Sequence, residues 1–391
     1  MQQSYSNIYA LIKDTHLGEK IQSGLSDLGF TIFVASDSRA VIEHFKTQNF
    51  DLFLCDLEED EKEIFPLLMD FTKTYPDVPI VVMTSFSHHN LLYSLRLGAW
   101  DFIEKPIHEM SKIEYAICKS LERARLVNEN RMYRYQLEKT NQKLEQSLAE
   151  LKQDQLAGRK IQKQLFPKKE MVIENYHYSS RVYPSLYLSG DSIDYFKISD
   201  HKIGFYIADV SGHGASSAFV TVMCKVLFDQ LLLAYKQTKA STIFQPGNVL
   251  TLANQYLYKS KINKYATFFY GVLDTQTNQL TYCIAGHYPF PMISSEKGTK
   301  WLADKNYPVG MLGDVIYEDK TVPFPENGLL TLFSDGLLEV MEEDNLAFKE
   351  KHLLGLINSE MSLETFIEKI KLRKNMELID DVTLLFVKRL A

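Results

Sequence analysis

Six aspartates beyond residue 190 stand where carboxylates are costly unless they share a counter-ion. Asp209 closes an apolar run and is followed by Val-Ser-Gly-His-Gly, and Asp335 is followed by Gly336. Asp380 and Asp381 open the last apolar run, and Asp191 lies with Asp194 in Ser-Gly-Asp-Ser-Ile-Asp, ahead of a strand. Carboxylates gathered at strand ends raise one another's pKa unless cations neutralise them. Hard oxygen donors without a histidine or cysteine cluster select Mg2+ or Mn2+ over zinc. A water held between two such ions loses a proton more readily and attacks phosphorus in line. The same ions neutralise the phosphoryl oxygens, so no covalent phosphoenzyme is needed. A single Asp-Gly is the ordinary mark of a turn. SGDSID, ADVSGHG, FSDG and DDVT together in one chain point to metal-assisted phosphoester hydrolysis.

A second set lies in the first third. Asp56 closes the run DLFLCD, Thr84 the run IVVMT and Lys105 the run DFIEK. Residues 8–12, 31–35, 51–55, 79–83 and 100–104 read as five buried strands, separated by helical patterns such as Leu17, Ile21, Leu25 and Leu28. Alternating β and α units imply a doubly wound parallel sheet with helices on both faces. Chemistry in such sheets gathers at the carboxyl ends of the strands, where these three residues fall.

From 111 to 165 the chain has no proline and one glycine, Gly158, and is rich in Glu, Lys, Gln and Leu, which predicts one or two long helices. Leu137, Asn141, Leu144, Leu148, Leu151 and Gln155 alternate in steps of four and three, a coiled-coil seam on which Asn141 fixes register and favours a parallel homodimer. The competing reading is a single amphipathic helix lying on its own domain. Beyond Pro167 the runs 202–209, 270–274, 280–284, 329–333 and 382–387 read as strands, with 275–279 as a hairpin loop. Phe219, Val222, Met223, Val226 and Leu227 mark one helix; Val249, Leu252, Ala253, Tyr256 and Leu257 mark another. This predicts an α+β sandwich of antiparallel sheets flanked by helices. Three segments follow: 1–107, a helical linker over 108–169, and 170–391.

Over 391 residues the hydrophobic share of 45% and charged share of 24% are those of a soluble globular chain, and a net charge of −7 supplies no basic stripe for nucleic acid. Cys55, Cys118, Cys224 and Cys283 form no CxxC pair, which argues against zinc and for reduced thiols in a cytoplasmic protein. The N-terminus lacks a signal-peptide pattern, and the longest apolar run, 218–228, is interrupted by Lys225, so no membrane association is expected.

Residues 5–107 resemble the receiver domain of bacterial response regulators. The resemblance implies that Asp56 is the phosphoacceptor for a sensor kinase, with Thr84 following the phosphoryl group and Lys105 as its cationic partner. Phe102 takes the aromatic switch position, and Pro106 follows a cis bond. Receivers hold Mg2+ with a pair of acids after the first strand. Here that stretch is Ile12-Lys13-Asp14, so Asp14 is the one acid, and the Lys13 ammonium beside it would partly replace the cation.

Residues 157–391 resemble the PPM family of metal-dependent protein phosphatases, in its bacterial branch that acts on anti-sigma-factor antagonists. The four acidic segments carry this resemblance, together with AGRKIQKQLFP (157–167), ATFFYGVLD (266–274) and AGHYPFPM (285–292). It implies that Asp209 bridges two Mn2+ or Mg2+ ions with the Val210 carbonyl as a further ligand. Asp191 would bind one ion, Asp335 and Asp380 would complete the outer side, and Asp194 and Asp381 would support the metal site, although the letters alone do not decide which member of the pairs Asp191/Asp194 and Asp380/Asp381 is the ligand. Two departures stand out. Ser211 holds the place of a histidine found in eukaryotic relatives, leaving His213 as a structural residue of the turn, and Ser189-Gly190 replaces a double glycine. His88 and His89 are adjacent on a helix, a spacing that does not converge on one ion. With His287 they read as structural.

The function this implies is a signal-regulated protein serine/threonine phosphatase whose substrate is a phosphorylated anti-sigma-factor antagonist. The alternative is a non-catalytic adaptor that uses the same fold to bind a sigma factor or another partner. Such an adaptor is expected to have lost the aspartates this chain keeps.

Overall fold

The computed structural model describes residues 6–57, 61–85, 88–373 and 376–390, with backbone alone at 61–62 and 88–91, so the side chains of His88 and His89 fall outside the described residues. The chain divides into two compact units, Met1–Gln146 and Ser147–Ala391.

The first unit runs β1 (Asn7–Leu11), α1 (Thr15–Asp27), β2 (Thr31–Ala35), α2 (Val41–Thr47), β3 (Leu52–Asp56), α3 (Glu61–Thr74), β4 (Ile80–Ser85), α4 (His88–Arg96) and β5 (Asp101–Lys105) into α5 (Met110–Leu165). All pairings are parallel, in the order β2-β1-β3-β4-β5. Successive residues of the inner strand β1 serve opposite cores, as a pleated strand requires. Ile8 and Ala10 pack with Ile21, Leu25, Ile113 and Ile117, whereas Tyr9 and Leu11 pack with Phe45, Phe53 and Phe71. The predicted doubly wound sheet is present, and Lys105–Pro106 is cis. Helix α5 is one helix of 56 residues, about 84 Å long at 1.5 Å per residue.

The second unit holds β6 (Glu170–Ile173), β7 (Tyr176–Tyr183), β8 (Asp191–Ser199), β9 (Lys202–Val210), α6 (Ala215–Thr238), α7 (Pro246–Lys259), β10 (Ala266–Asp274), β11 (Gln279–Ala285), β12 (Met292–Ser295) and β13 (Gly298–Trp301). It continues with β14 (Lys320–Pro323), β15 (Leu329–Phe333), α8 (Gly336–Val340), α9 (Leu346–Leu356), α10 (Leu363–Lys369) and β16 (Val382–Arg389). Two antiparallel sheets form, β14-β11-β10-β9-β8 and β13-β12-β15-β16-β7-β6. Their inner faces share one core, in which Tyr195, Phe205, Ile207 and Phe269 meet Tyr178, Leu332, Leu385 and Val387. Helices α6 and α7 cover the first sheet through Val220, Phe228, Val249 and Leu250. Helices α9 and α10 cover the second through Leu353 and Phe366. The layers run helix, sheet, sheet, helix, as the resemblance implies.

Two details differ from the sequence reading. Asp191 is the first residue of β8 rather than a residue before a strand, because its register partner Asp209 extends the ladder to that point. Helix α6 is, by length and composition, apolar enough to cross a membrane, which the interruption at Lys225 had argued against. In the fold its Val220, Cys224 and Phe228 pack on the first sheet, and Lys225 pairs with Asp194.

Candidate functional site

Asp191 and Asp209 face each other across the β8–β9 ladder. Both share strand parity with residues of the inter-sheet core, Asp191 with Ile193 and Tyr195 and Asp209 with Phe205 and Ile207, so both carboxylates enter the space between the sheets at one end. Asp335 follows β15 at the head of α8, and Asp380 and Asp381 precede β16. The segments meet because Ser334 ties β15 to β16. Its amide donates to the Thr383 carbonyl at 3.0 Å, its hydroxyl to the Asp381 carbonyl at 3.1 Å, and it accepts from the Thr383 amide at 2.8 Å. The Asp-Gly sequence then has a local cause. A Cβ on Gly336 would stand 2.1 Å from the Asp381 carbonyl oxygen, so only glycine lets the two turns lie backbone to backbone. Gly190 is similar, its Cβ direction meeting the Val210 and Gly212 carbonyls at 3.1 Å.

The electrostatics are those of unneutralised acids. Burial, then the charges of Asp209 and Asp381, hold Asp191 well above the usual carboxylate range. Neither of its buried oxygens has a hydrogen-bond partner, although the nearby Thr383 and Ser334 hydroxyls pull weakly the other way. Burial, then Asp335, Asp380 and Asp381, raise Asp209 to about 7. Burial and Asp380 raise Asp335. A buried carboxylate with no donor is a costly group that a cation would relieve. The donor set, all carboxylate and carbonyl oxygen, suits Mg2+ or Mn2+. Among the described residues no three acidic, histidine or cysteine side chains already converge to ligand spacing. The acids therefore feel one another's charge without closing on a point.

Two predicted residues sit apart from this cluster. Asp194 is three residues beyond Asp191 and so on the opposite face of β8, toward α6, where it accepts from Lys225 at 2.6 Å and from the Tyr195 amide at 2.9 Å. Asp381 is buried and saturated. It accepts from the Ser185 amide and hydroxyl at 2.6 and 2.9 Å, the Ser189 hydroxyl at 3.1 Å and the Gly190 amide at 2.5 Å. It fixes the loop ahead of Asp191 and adds negative charge behind the cluster.

Two residues that sequence reasoning passed over also position the site. Lys264, just before β10, donates to the Ser211 carbonyl at 2.7 Å and lies 3.2 Å from the Ser217 hydroxyl, clamping the loop that follows Asp209. Gln162, buried near the end of α5, donates to the Ser189 carbonyl at 2.7 Å and accepts from its amide at 3.0 Å. Its segment was noted, but a backbone contact 27 positions away leaves no local signal. His213 is exposed in the turn between Gly212 and Gly214, both at positive φ. His287 is buried with neither ring nitrogen bonded, and burial pushes its pKa down to about 3.

In the first unit Asp56, Thr84 and Lys105 end β3, β4 and β5. Lys105 donates to both Asp56 oxygens, at 2.7 and 2.6 Å. Thr84 is buried with its hydroxyl on the Ser85 carbonyl at 3.1 Å, and Phe102 is exposed on β5. Asp14 turns back onto α1, accepting from the His16 and Leu17 amides at 2.9 and 3.1 Å. Its predicted place in a cation site is thus taken up by helix capping.

Residues 13–117 match the family model of the response regulator receiver domain, and residues 199–390 match that of stage II sporulation protein E. The phosphoserine phosphatase RsbP of Bacillus subtilis is 29% identical over 188 residues, which cover 46% of this chain and 44% of that protein. Protein IcfG of Synechocystis is 24% identical over 262 residues, 59% of this chain and 41% of that protein. The chain thus spans less than half the length of these two relatives. The regulator of RpoS of Escherichia coli is 21% identical over 247 residues, 62% of this chain and 70% of that protein. Among solved structures, the SiaA-PP2C domain of Pseudomonas aeruginosa aligns with a TM-score of 0.53 at 17% identity, covering 62% of this chain and 98% of that one, a likeness of fold. The chain therefore joins a segment that matches the response regulator receiver domain to one that matches the stage II sporulation protein E family and shares the fold of the SiaA-PP2C domain.

Proposed function

We propose that the second unit is a metal-dependent phosphatase that removes phosphate from serine or threonine of a protein. The observation that carries the reading is the gathering of Asp191, Asp209, Asp335 and Asp380 at one end of the packed sheets, with Asp191 buried and unbonded. In this reading Asp209, the Val210 carbonyl, Asp191, Asp335 and Asp380 are the groups that would hold the divalent ions. When bound, two divalent cations make a shared water more acidic and neutralise the phosphoryl oxygens. The protein's own part is positional. Asp381 and Gln162 hold the loop that carries Asp191, Lys264 holds the loop after Asp209, and Gly336 keeps Asp335 against Asp380. Asp194 acts apart from the ions, tying β8 to α6 through Lys225.

The finer reading is a phosphorylated anti-sigma-factor antagonist as substrate, supported by the RsbP likeness alone. A sensor kinase acting on Asp56 supplies the input, and the segments 1–107, 108–169 and 170–391 act as sensor, coupler and catalyst. The exposed seam of Leu137, Leu144, Leu148 and Leu151 on α5 supports pairing of two chains through that helix. The test is Mn2+-dependent hydrolysis of p-nitrophenyl phosphate by the full chain and by the unit Ser147–Ala391, with Asp209→Asn as control. Turnover that needs the metal and vanishes in the variant supports the phosphatase.

The likeness to the regulator of RpoS and the open spacing of the acids favour a second reading, the adaptor that binds a sigma factor or another partner. Folded protein with no turnover at any Mn2+ or Mg2+ concentration selects it.

A further inference from the structure

We infer that the receiver pocket works without a divalent cation, the Lys13 ammonium standing where a receiver's second acid and its metal would otherwise balance Asp56. Among the described residues, each acid around the pocket has already taken a different partner. Asp14, one residue on, spends its carboxylate on the first turn of α1, with one oxygen accepting from both the His16 and Leu17 amides. Asp56 is gripped through both oxygens by Lys105, and the two side chains are only 11% and 10% exposed. Glu63, arriving from α3, accepts from the Ser38 hydroxyl, and its other oxygen stands 3.9 Å from the Lys13 nitrogen.

Lys13 lines the same small cavity as Asp14, Ser38, Asp56 and Lys105. Among the described residues, two ammonium groups, of Lys13 and Lys105, thus line the cavity with Asp56, whereas Asp14 is engaged in capping α1. Mg2+ sheds water reluctantly and needs near-octahedral oxygen ligands at short range, normally through one or two carboxylates. Here the acid nearest in sequence has one oxygen committed to the first turn of α1, and a cation would enter beside two like charges, a placement that costs more the more buried it is. Lys13 cannot leave, because it is tethered to β1 by the chain. The charge of the pocket is therefore fixed by sequence rather than by the Mg2+ concentration of the surroundings. This inference concerns the receiver alone and does not depend on the second unit being a phosphatase.

Hydrogen exchange of the full chain, read by mass spectrometry with and without millimolar Mg2+, tests it. Peptides over residues 7–17 and 52–57 report on the pocket, and those over 191–210 and 335–373 report separately on the acidic site of the second unit. In the wild type the pocket peptides exchange at the same rate with and without Mg2+. Lys13→Asp, which restores an acid pair with Asp14, gains a several-fold slowing in Mg2+. Lys13→Asn, which removes the charge without adding repulsion, gains a smaller one and keeps the comparison open should the aspartate variant unfold without metal. Mg2+-dependent slowing in the wild-type pocket overturns the inference. So does a pocket that stays indifferent to Mg2+ in both variants, since something other than Lys13 would then exclude the ion.

Discussion

At Asp209 burial and three neighbouring acids raise the carboxyl to about 7, against about 3.9 in an unfolded chain. Between those values the folded, ion-free protein holds a proton that the unfolded chain has lost. The associated stability is therefore full below the unfolded value and disappears as pH rises through about 7. Metal must displace that proton, so affinity for Mn2+ should fall as pH drops below about 7. Titration calorimetry at about pH 6 and about pH 8, in buffers of different ionisation enthalpy, should show weaker binding and more protons released at the lower pH. Equal affinity at both would mean that Asp209 is not a ligand. Gly336→Ala should cost ~2 kcal/mol, because its methyl has only the Asp381 backbone to displace. Thermal melting checks the cost, and Mn2+ affinity checks whether the turns have parted. Residue types were legible in the sequence because acids beside glycines have few uses. Their sorting was less so. Asp191 and Asp194 looked equivalent, yet three steps along a strand reverse the face, a parity argument that the letters already permitted. Asp381 could not be told from Asp380, since hydrogen bonds to residues 185–190 connect parts of the chain far apart in sequence.

Among the elements, the last turns of α5, which belong to the second unit, are tied to its loops by Gln162. Gln162 satisfies both backbone groups of Ser189 and reaches the Thr221 hydroxyl of α6 at 3.3 Å, so the helix, the loop before Asp191 and α6 share one anchor. Gln162→Leu fills similar space but leaves a buried amide and carbonyl unpaired, at a cost of about 1–3 kcal/mol. If the anchor also positions the site, metal affinity should fall more than stability alone explains. Melting curves with and without Mn2+ separate the two, and an unchanged metal-induced shift would limit Gln162 to a structural role. Long elements were the most legible. The proline-free tract became one helix, and the alternating apolar runs of the first unit became its five strands. Strands β6, β7 and β12–β14 and helices α8–α10 were not anticipated. They are short, and several borrow burial from neighbours instead of showing a period of their own.

For the molecule as a whole, the seam on α5 makes the sharpest prediction. Leu137, Leu144, Leu148 and Leu151 are each more than half exposed, a repeating apolar row that a parallel partner helix would cover around Asn141. Light scattering at micromolar concentration should give twice the chain mass, and Leu144→Asp with Leu148→Asp should return it to one. A wild-type monomer would refute the pairing and leave the row as the face of a single helix. Packed antiparallel sheets flanked by helices were readable from the apolar runs, but which strands pair was not, because antiparallel pairing between strands as distant as β7 and β16 has no local code.

That pairing also bears on how the protein is made. Strand β16, the last in sequence, lies in the middle of its sheet, between β15 and β7, and Asp381 at its threshold locks the loop ahead of Asp191. During synthesis β7 and β15 must wait with open edges until residues 382–389 clear the ribosome, and the acids cannot gather before then. A polypeptide cut short ahead of β16 would expose two unpaired apolar strand edges, a hazard for aggregation and a target for proteolysis. Truncated products should therefore go to quality control without ever assembling the acidic site.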